Sequence, residues 1–82
     1  MSRLMITGTQ IAGARGLLRI SKAELAEKST VGLSTIKSFE SLDNTPHTKN
    51  INKIRDWLTT QGIVFAFDDD GVEWVGVKPK EE

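Results

Sequence analysis

The side chains best suited to do chemistry in this chain are short and polar, and they cluster. Leu33, Ser34, Lys37 and Ser38 fall on one side of a segment whose other side carries Ile36 and Phe39. Serine hydroxyls and a lysine ammonium so placed suit hydrogen bonds to base edges and phosphates, a chemistry of recognition rather than of bond breaking. Lys22, Lys37, Lys49 and Lys53 offer phosphate contacts around that segment. Ser21 and Lys22 open a helix whose N-terminal N–H groups and positive dipole end also suit an anion.

Nothing else in the sequence is arranged for catalysis or metal binding. The one histidine, His47, stands beside Pro46 in a loop-forming run with no partner group near it, and reads as a surface residue. Asp68, Asp69 and Asp70 are hard-cation ligands in kind, but they lead into Gly71 with no later Glu at the spacing a calcium loop needs. They read as a solvated turn. Gly13 and Gly16 flank Arg15 without a phosphate-loop pattern, and imply close packing of another element on their helix. No enzyme activity, cofactor or metal is expected.

The elements that must position the polar cluster follow from local patterns. Thr7 and Gln10 make the T-x-x-Q capping pattern, so a first helix starts near Thr7; Ile11, Ala14 and Leu18 then share a face up to about Arg19. Ser21 and Glu24 repeat the capping pattern for a second, brief helix with Leu25 and Ala26 inward. A turn around Thr30 to Gly32 leads to a third helix from about Leu33 to Leu42. Leu25, Val31, Ile36 and Phe39 are spaced so that the two helices cross over one small core, a helix-turn-helix. Asp43 to Pro46 breaks the helix, and Thr48 caps a fourth with the stripe Ile51, Ile54, Leu58 and a stop at Gly62.

Beyond Gly62 the apolar period changes from helical to two. Residues 63 to 77 read as a β-hairpin turning at Asp68 to Gly71 through a loop of two or four residues. Either length places Ile63, Phe65, Phe67, Val72 and Trp74 on the face toward the helices and Val64, Ala66, Val75 and Val77 on the other. The second face is apolar too, and is expected either to build a homodimer, by edge-to-edge strand pairing or by packing of that face on the other copy, or to lie under the N-terminal arm, Met1 to Ile6. Residues 78 to 82 read as a disordered tail.

At 82 residues the chain holds one domain, residues 1–82, in which 7–62 form a helical bundle and 63–77 the hairpin. The lack of cysteine removes disulfides and thiolate metal sites and fits a cytoplasmic protein; no apolar run is long enough to span a membrane. Formal net charge is zero, but residues 1–60 carry nine Lys or Arg against five Asp or Glu, and residues 61–82 two against six. The helical part is therefore mildly basic and the remainder acidic.

The segment from Thr7 to Leu58 resembles the Xre/Cro/cI-type helix-turn-helix family of bacterial and phage transcriptional regulators. The resemblance is carried by Arg15, Ser21, Glu24-Leu25-Ala26, Val31, Ser34-Thr35-Ile36, Glu40, Pro46 and the Ile51, Ile54, Leu58 stripe. Leu58 to Phe65 is also similar to the L-x-x-x-G-V-x-F ending of small single-domain members. The resemblance implies a mainly α, compact four-helix domain like that of lambda repressor, with the C-terminal hairpin added. It implies double-stranded DNA as partner, with Leu33, Ser34, Lys37 and Ser38 facing bases and Ser21, Lys22, Thr35 and Lys49 on phosphates. It also implies an ion pair between Arg15 and Glu40 and a homodimer on an inverted repeat. The same fold used as an antitoxin or adaptor is the alternative. Three positions depart from the family pattern: Thr30 and Arg19 stand where glycine is common, and Gly32 where a serine cap is usual.

Overall fold

A computed structural model of the chain describes residues 5–43 and 45–79. Four helices, α1 (Gly8–Leu18), α2 (Lys22–Ser29), α3 (Leu33–Glu40) and α4 (Thr48–Thr60), precede an antiparallel hairpin of β1 (Ile63–Phe67) and β2 (Glu73–Val77). Among the described residues no helix is long and apolar enough to cross a membrane. Most of the N-terminal arm, Asn44 of the loop before α4, and the end of the tail lie outside the described residues.

The helices begin and end for local reasons. The Thr7 hydroxyl accepts from the Gln10 N–H at 3.1 Å, and the Gln10 side-chain oxygen accepts from the Thr7 N–H at 3.0 Å, so the expected capping box at α1 is complete. At α2 only half of the expected box forms, the Ser21 hydroxyl accepting from the Glu24 N–H at 3.0 Å. α4 is capped by His47 instead of Thr48: the His47 Nδ1 accepts from the Lys49 N–H at 3.2 Å. α3 stops at Glu40, two residues short of the expected end, because Leu42 turns into the left-handed region at φ 65°. Gly62, at φ 92°, ends the run after α4 as expected.

Arg19 and Thr30 both take left-handed backbone conformations, at φ 60° and 58°. For Thr30 the strain is larger, because a β-branched side chain crowds the following carbonyl there. Thr30→Gly is expected to stabilise the chain by about 1 kcal/mol, seen as a rise of about 4–8 °C in the midpoint of thermal unfolding. An unchanged or lower midpoint would show that the strain is relieved elsewhere.

The core draws on all four helices, on β1 and on Ile6. Ile11, Leu25, Ile36, Ile54 and Leu58 are fully buried, and Leu18, Trp57, Phe65 and Val75 pack around them. β2 lies along α1 and β1 along α4. Buried Gln10 ties the hairpin to α1: its Nε2 donates to the carbonyls of Ala66 at 3.1 Å and Trp74 at 2.9 Å. Two glycines set close approaches. A Cβ on Gly13 would stand 2.8 Å from the Val75 side chain, and one on Gly8 would overlap the Phe39 carbonyl. Gly13 thus does what its place in the sequence implies, whereas Gly16 has nothing within 4 Å.

The hairpin corrects the sequence reading of its faces. Pairing runs Ile63 to Val77, Phe65 to Val75 and Phe67 to Glu73, so the loop is Asp68 to Val72, five residues instead of two or four. An odd loop reverses the parity of the second strand. Val75 and Val77 therefore share the inner face with Ile63 and Phe65, while Trp74 joins Val64 and Ala66 outside. The loop is odd because the Asp68 carboxylate closes it, one oxygen accepting from the N–H of Asp70 and of Val72, both at 2.9 Å.

Those bonds, that to Val72 foremost, hold the Asp68 carboxyl below the usual carboxylate range, with the Trp74 indole N–H assisting at 3.4 Å. A lowered carboxyl stabilises the turn above its unfolded value and ceases to do so as pH falls through the folded one. Acid is therefore expected to loosen the turn, changing the fluorescence of Trp74 and shifting the amide resonances of Asp70 and Val72. Asp68→Ala should give the same change at neutral pH. A turn unaltered in Asp68→Ala would exclude this account.

Candidate nucleic-acid interface

α3 is fixed on one side and open on the other. Ile36 and Phe39 are buried, with Val31 beneath the preceding turn, while Leu33, Ser34 and Lys37 are exposed and Thr35 and Ser38 half-buried. All four residues expected to face bases thus occur on one accessible side of one helix. Gly32 caps α3 with backbone alone, making no side-chain bond to the first turn. The Thr35 N–H, which a side-chain cap would take, is bonded to the Gly32 carbonyl at 3.1 Å instead.

Beside this face lies an open cleft of about 230 Å³, walled by Ser34, Thr35 and Ser38 from α3 and by Pro46, His47 and Asn50 from the start of α4. His47 and Asn50 are the residues that sequence reasoning leaves out of the cluster. The signal for Asn50 was its place in the first turn of the helix after α3. His47 offered less, since histidine is an uncommon cap. With Nδ1 accepting from the Lys49 N–H, a neutral His47 carries its proton on Nε2.

Three of the phosphate candidates lie on other elements, Ser21 and Lys22 at the start of α2 and Lys49 in α4, and the fourth, Thr35, lies on α3 itself. Ser21 and Lys49 are exposed and Lys22 is half-buried at the first position of α2. The Ser21 hydroxyl oxygen is engaged in capping, which leaves its proton free to be donated. Thr35 is half-buried and lines the cleft.

Arg15 and Glu40 form the ion pair that the resemblance implies. The guanidinium Nε and a terminal nitrogen meet the two carboxylate oxygens at 2.6 and 2.7 Å, a two-pronged contact, and the other terminal nitrogen donates to the Ile20 carbonyl at 3.1 Å. The pair is largely enclosed, with side-chain exposures of 19% for Arg15 and 5% for Glu40. The bonds to Glu40 raise the Arg15 pKa, so its charge is held more firmly than usual. The contact ties the end of α1 to the end of α3 and to the corner before α2. It acts on the interface only by holding α3.

The four residues expected at a dimer contact divide between two faces. Val64 and Ala66 are exposed on the outer face, Val75 is half-buried against Gly13, and Val77 is exposed at the inner strand end. The acidic turn is occupied by its own backbone, as described for Asp68. No family model matches the chain, and no curated protein matches it.

Proposed function

We propose that this chain is a sequence-specific double-stranded DNA-binding protein, a small transcriptional regulator built as a lambda-repressor-like helix-turn-helix. α2 and α3 form the motif, α3 lies in the major groove, and two copies act together on an inverted repeat. The observation that carries the reading is the division of α3. One side is locked into the core by Ile36 and Phe39, and the other presents Leu33, Ser34, Lys37 and Ser38 on the accessible side of a helix, an element that the major groove admits. The cleft toward α4 adds His47 and Asn50 as polar groups next to the same face. Lys22 at the start of α2 and Lys49 in the first turn of α4 supply the positive charge.

The mechanism follows from these roles. Lysines and helix N-termini bind phosphates and fix register, and the α3 hydroxyls then sample base edges. One copy offers few base contacts, so affinity and specificity come from two half-sites about one helical turn apart.

Selection of bound DNA from a random pool tests the reading, and an inverted repeat is expected. On that site Ser34→Ala with Ser38→Ala should relax base preference at the positions facing α3, by about 1–3 kcal/mol for each lost base contact. Lys22→Ala should weaken binding to every sequence alike and lower the slope of log affinity against log salt by about one. If no sequence is enriched, the proposal fails.

One observation favours a second reading, the protein-interaction module. Val64, Val72 and Trp74 expose an apolar outer face on the hairpin, Trp74 to 56%. Under that reading the tightest ligand would be a protein, and its affinity would not fall with salt as DNA binding must.

A further inference from the structure

Among the described residues, β1 has one edge paired with β2 and one edge that is not. The backbone bonds Asp68 N–H to Val72 C=O and Lys78 N–H to Gly62 C=O continue the ladder at both ends, so its rungs fall on the even-numbered residues of β1. The N–H and C=O groups of Ile63, Phe65 and Phe67 point the other way. Among the described residues they pair with no other backbone group.

These groups open on a groove of about 460 Å³ between β1 and α4, whose walls include Ile6, Arg55, Thr59 and Lys78. The two charged side chains that line it are both cations, Arg55 in a loose, exposed pair with Asp56 at 3.5 Å and Lys78. The β1 sequence, Ile-Val-Phe-Ala-Phe, carries no lysine or proline of the kind that protects a free edge from pairing.

We infer that this edge is the surface on which two copies of the chain associate, β1 against β1 in antiparallel pairing about a two-fold axis at Phe65. The inference deepens the reading above, on which it rests for the need of a second copy. In this register Phe65 pairs with Phe65 of the other copy and Ile63 with Phe67, so the three outward N–H and C=O pairs on each strand are all satisfied. Asp68 then falls opposite Gly62 of the other copy.

Gly62 has no side chain, and Lys78 is bound across it, its N–H 2.8 Å from the Gly62 carbonyl and its Cβ 3.9 Å from where a Gly62 Cβ would stand. The acidic turn, Asp68 to Asp70, of each copy thus approaches the cationic groove of the other, twice by symmetry. A second copy fits this groove because it brings both the strand and the opposite charge. The result is a continuous four-stranded sheet.

The test uses the full chain without DNA and reads its mass by sedimentation across a range of concentrations. Arg55→Glu with Lys78→Glu makes both sides of the contact acidic; Asp69→Lys with Asp70→Lys makes both basic and spares Asp68, which closes the turn. The wild type should dimerise, and each double variant should self-associate about tenfold more weakly or worse, since like charges would then face each other. Mixing the two variants one to one should restore a mixed dimer. The inference is overturned if the variants dimerise as the wild type does, or if both are monomeric and the mixture is too. It is also overturned if the wild type is monomeric at every concentration. Because mass is read without DNA, the interface stands or falls whether or not the chain selects a DNA site.

Discussion

Arg15→Met is expected to destabilise the chain by about 3–5 kcal/mol, the cost of leaving an enclosed carboxylate without its partner. Glu40 is the more buried of the two, 5% exposed against 19%, and has little access to water in compensation. The converse change, Glu40→Leu, should cost less, about 2 kcal/mol. The surviving guanidinium keeps its bond to the Ile20 carbonyl and reaches solvent more easily. Changing both, Arg15→Met with Glu40→Leu, should return the chain to within about 1 kcal/mol of the wild type, because two apolar side chains of similar length avoid the desolvation of both charges. Urea unfolding followed by tryptophan fluorescence gives all three values. Additive single effects would mean that the pair is not energetically coupled. Over the ordinary pH range the arginine contributes no pH dependence. Its raised pKa stabilises the fold below the unfolded value, itself far above the ordinary range, and ceases to do so only as pH rises through the still higher folded one.

That pair also shows what kind of information a single sequence carries. The two residues lie 25 positions apart, and no periodicity or spacing joins them; only the family resemblance brought them together. Features written within one turn of helix are different. Thr7 with Gln10, the stripe of Ile51, Ile54 and Leu58, and the stop at Gly62 are each a few residues long, and all are present in the fold. The outward side of α3 was legible for the same reason, since one helical period assigns Ser34 and Lys37 to the side opposite Ile36.

Where the outcome hung on an exact count, local pattern was insufficient. The faces of β2 depend on whether the loop is odd or even, and the Asp68 carboxylate, by accepting from Asp70 and Val72, makes it odd. Trp74 is therefore outside and Val75 inside, which removes Val75 and Val77 from the expected outer apolar face and adds Trp74 to Val64 and Ala66 there. Contacts between distant backbones were equally hidden. Gly8 stood in the sequence as the first residue of a capped helix, and nothing there marks it as the point where α1 meets α3.

Gly8→Ala is expected to cost about 3 kcal/mol, at the upper end for adding one methyl group to a tight contact. The added Cβ would overlap the Phe39 carbonyl oxygen, stand 2.8 Å from its carbon and 3.1 Å from Glu40 Cα, so it meets backbone rather than a side chain that can swing aside. Alanine's better helix propensity, worth at most about 1 kcal/mol, offsets part of the strain. Relief requires the start of α1 to move away from the end of α3. Gln10, in the same turn of α1, is bonded to the strand carbonyls of Ala66 and Trp74, and Glu40 at the end of α3 is bonded to Arg15. The displacement therefore falls on elements that are held at their other contacts, and α3 must tilt or lose the Arg15 bond. If α3 reads DNA as proposed, Gly8→Ala should weaken binding to the selected site under conditions where the variant is still folded, although Gly8 is buried and faces no ligand. Stability from urea unfolding and affinity from a titration at fixed salt separate the two effects. A variant as stable as the wild type would show that the contact yields without strain. One that is less stable but binds with full affinity would show that the start of α1 does not set the position of α3.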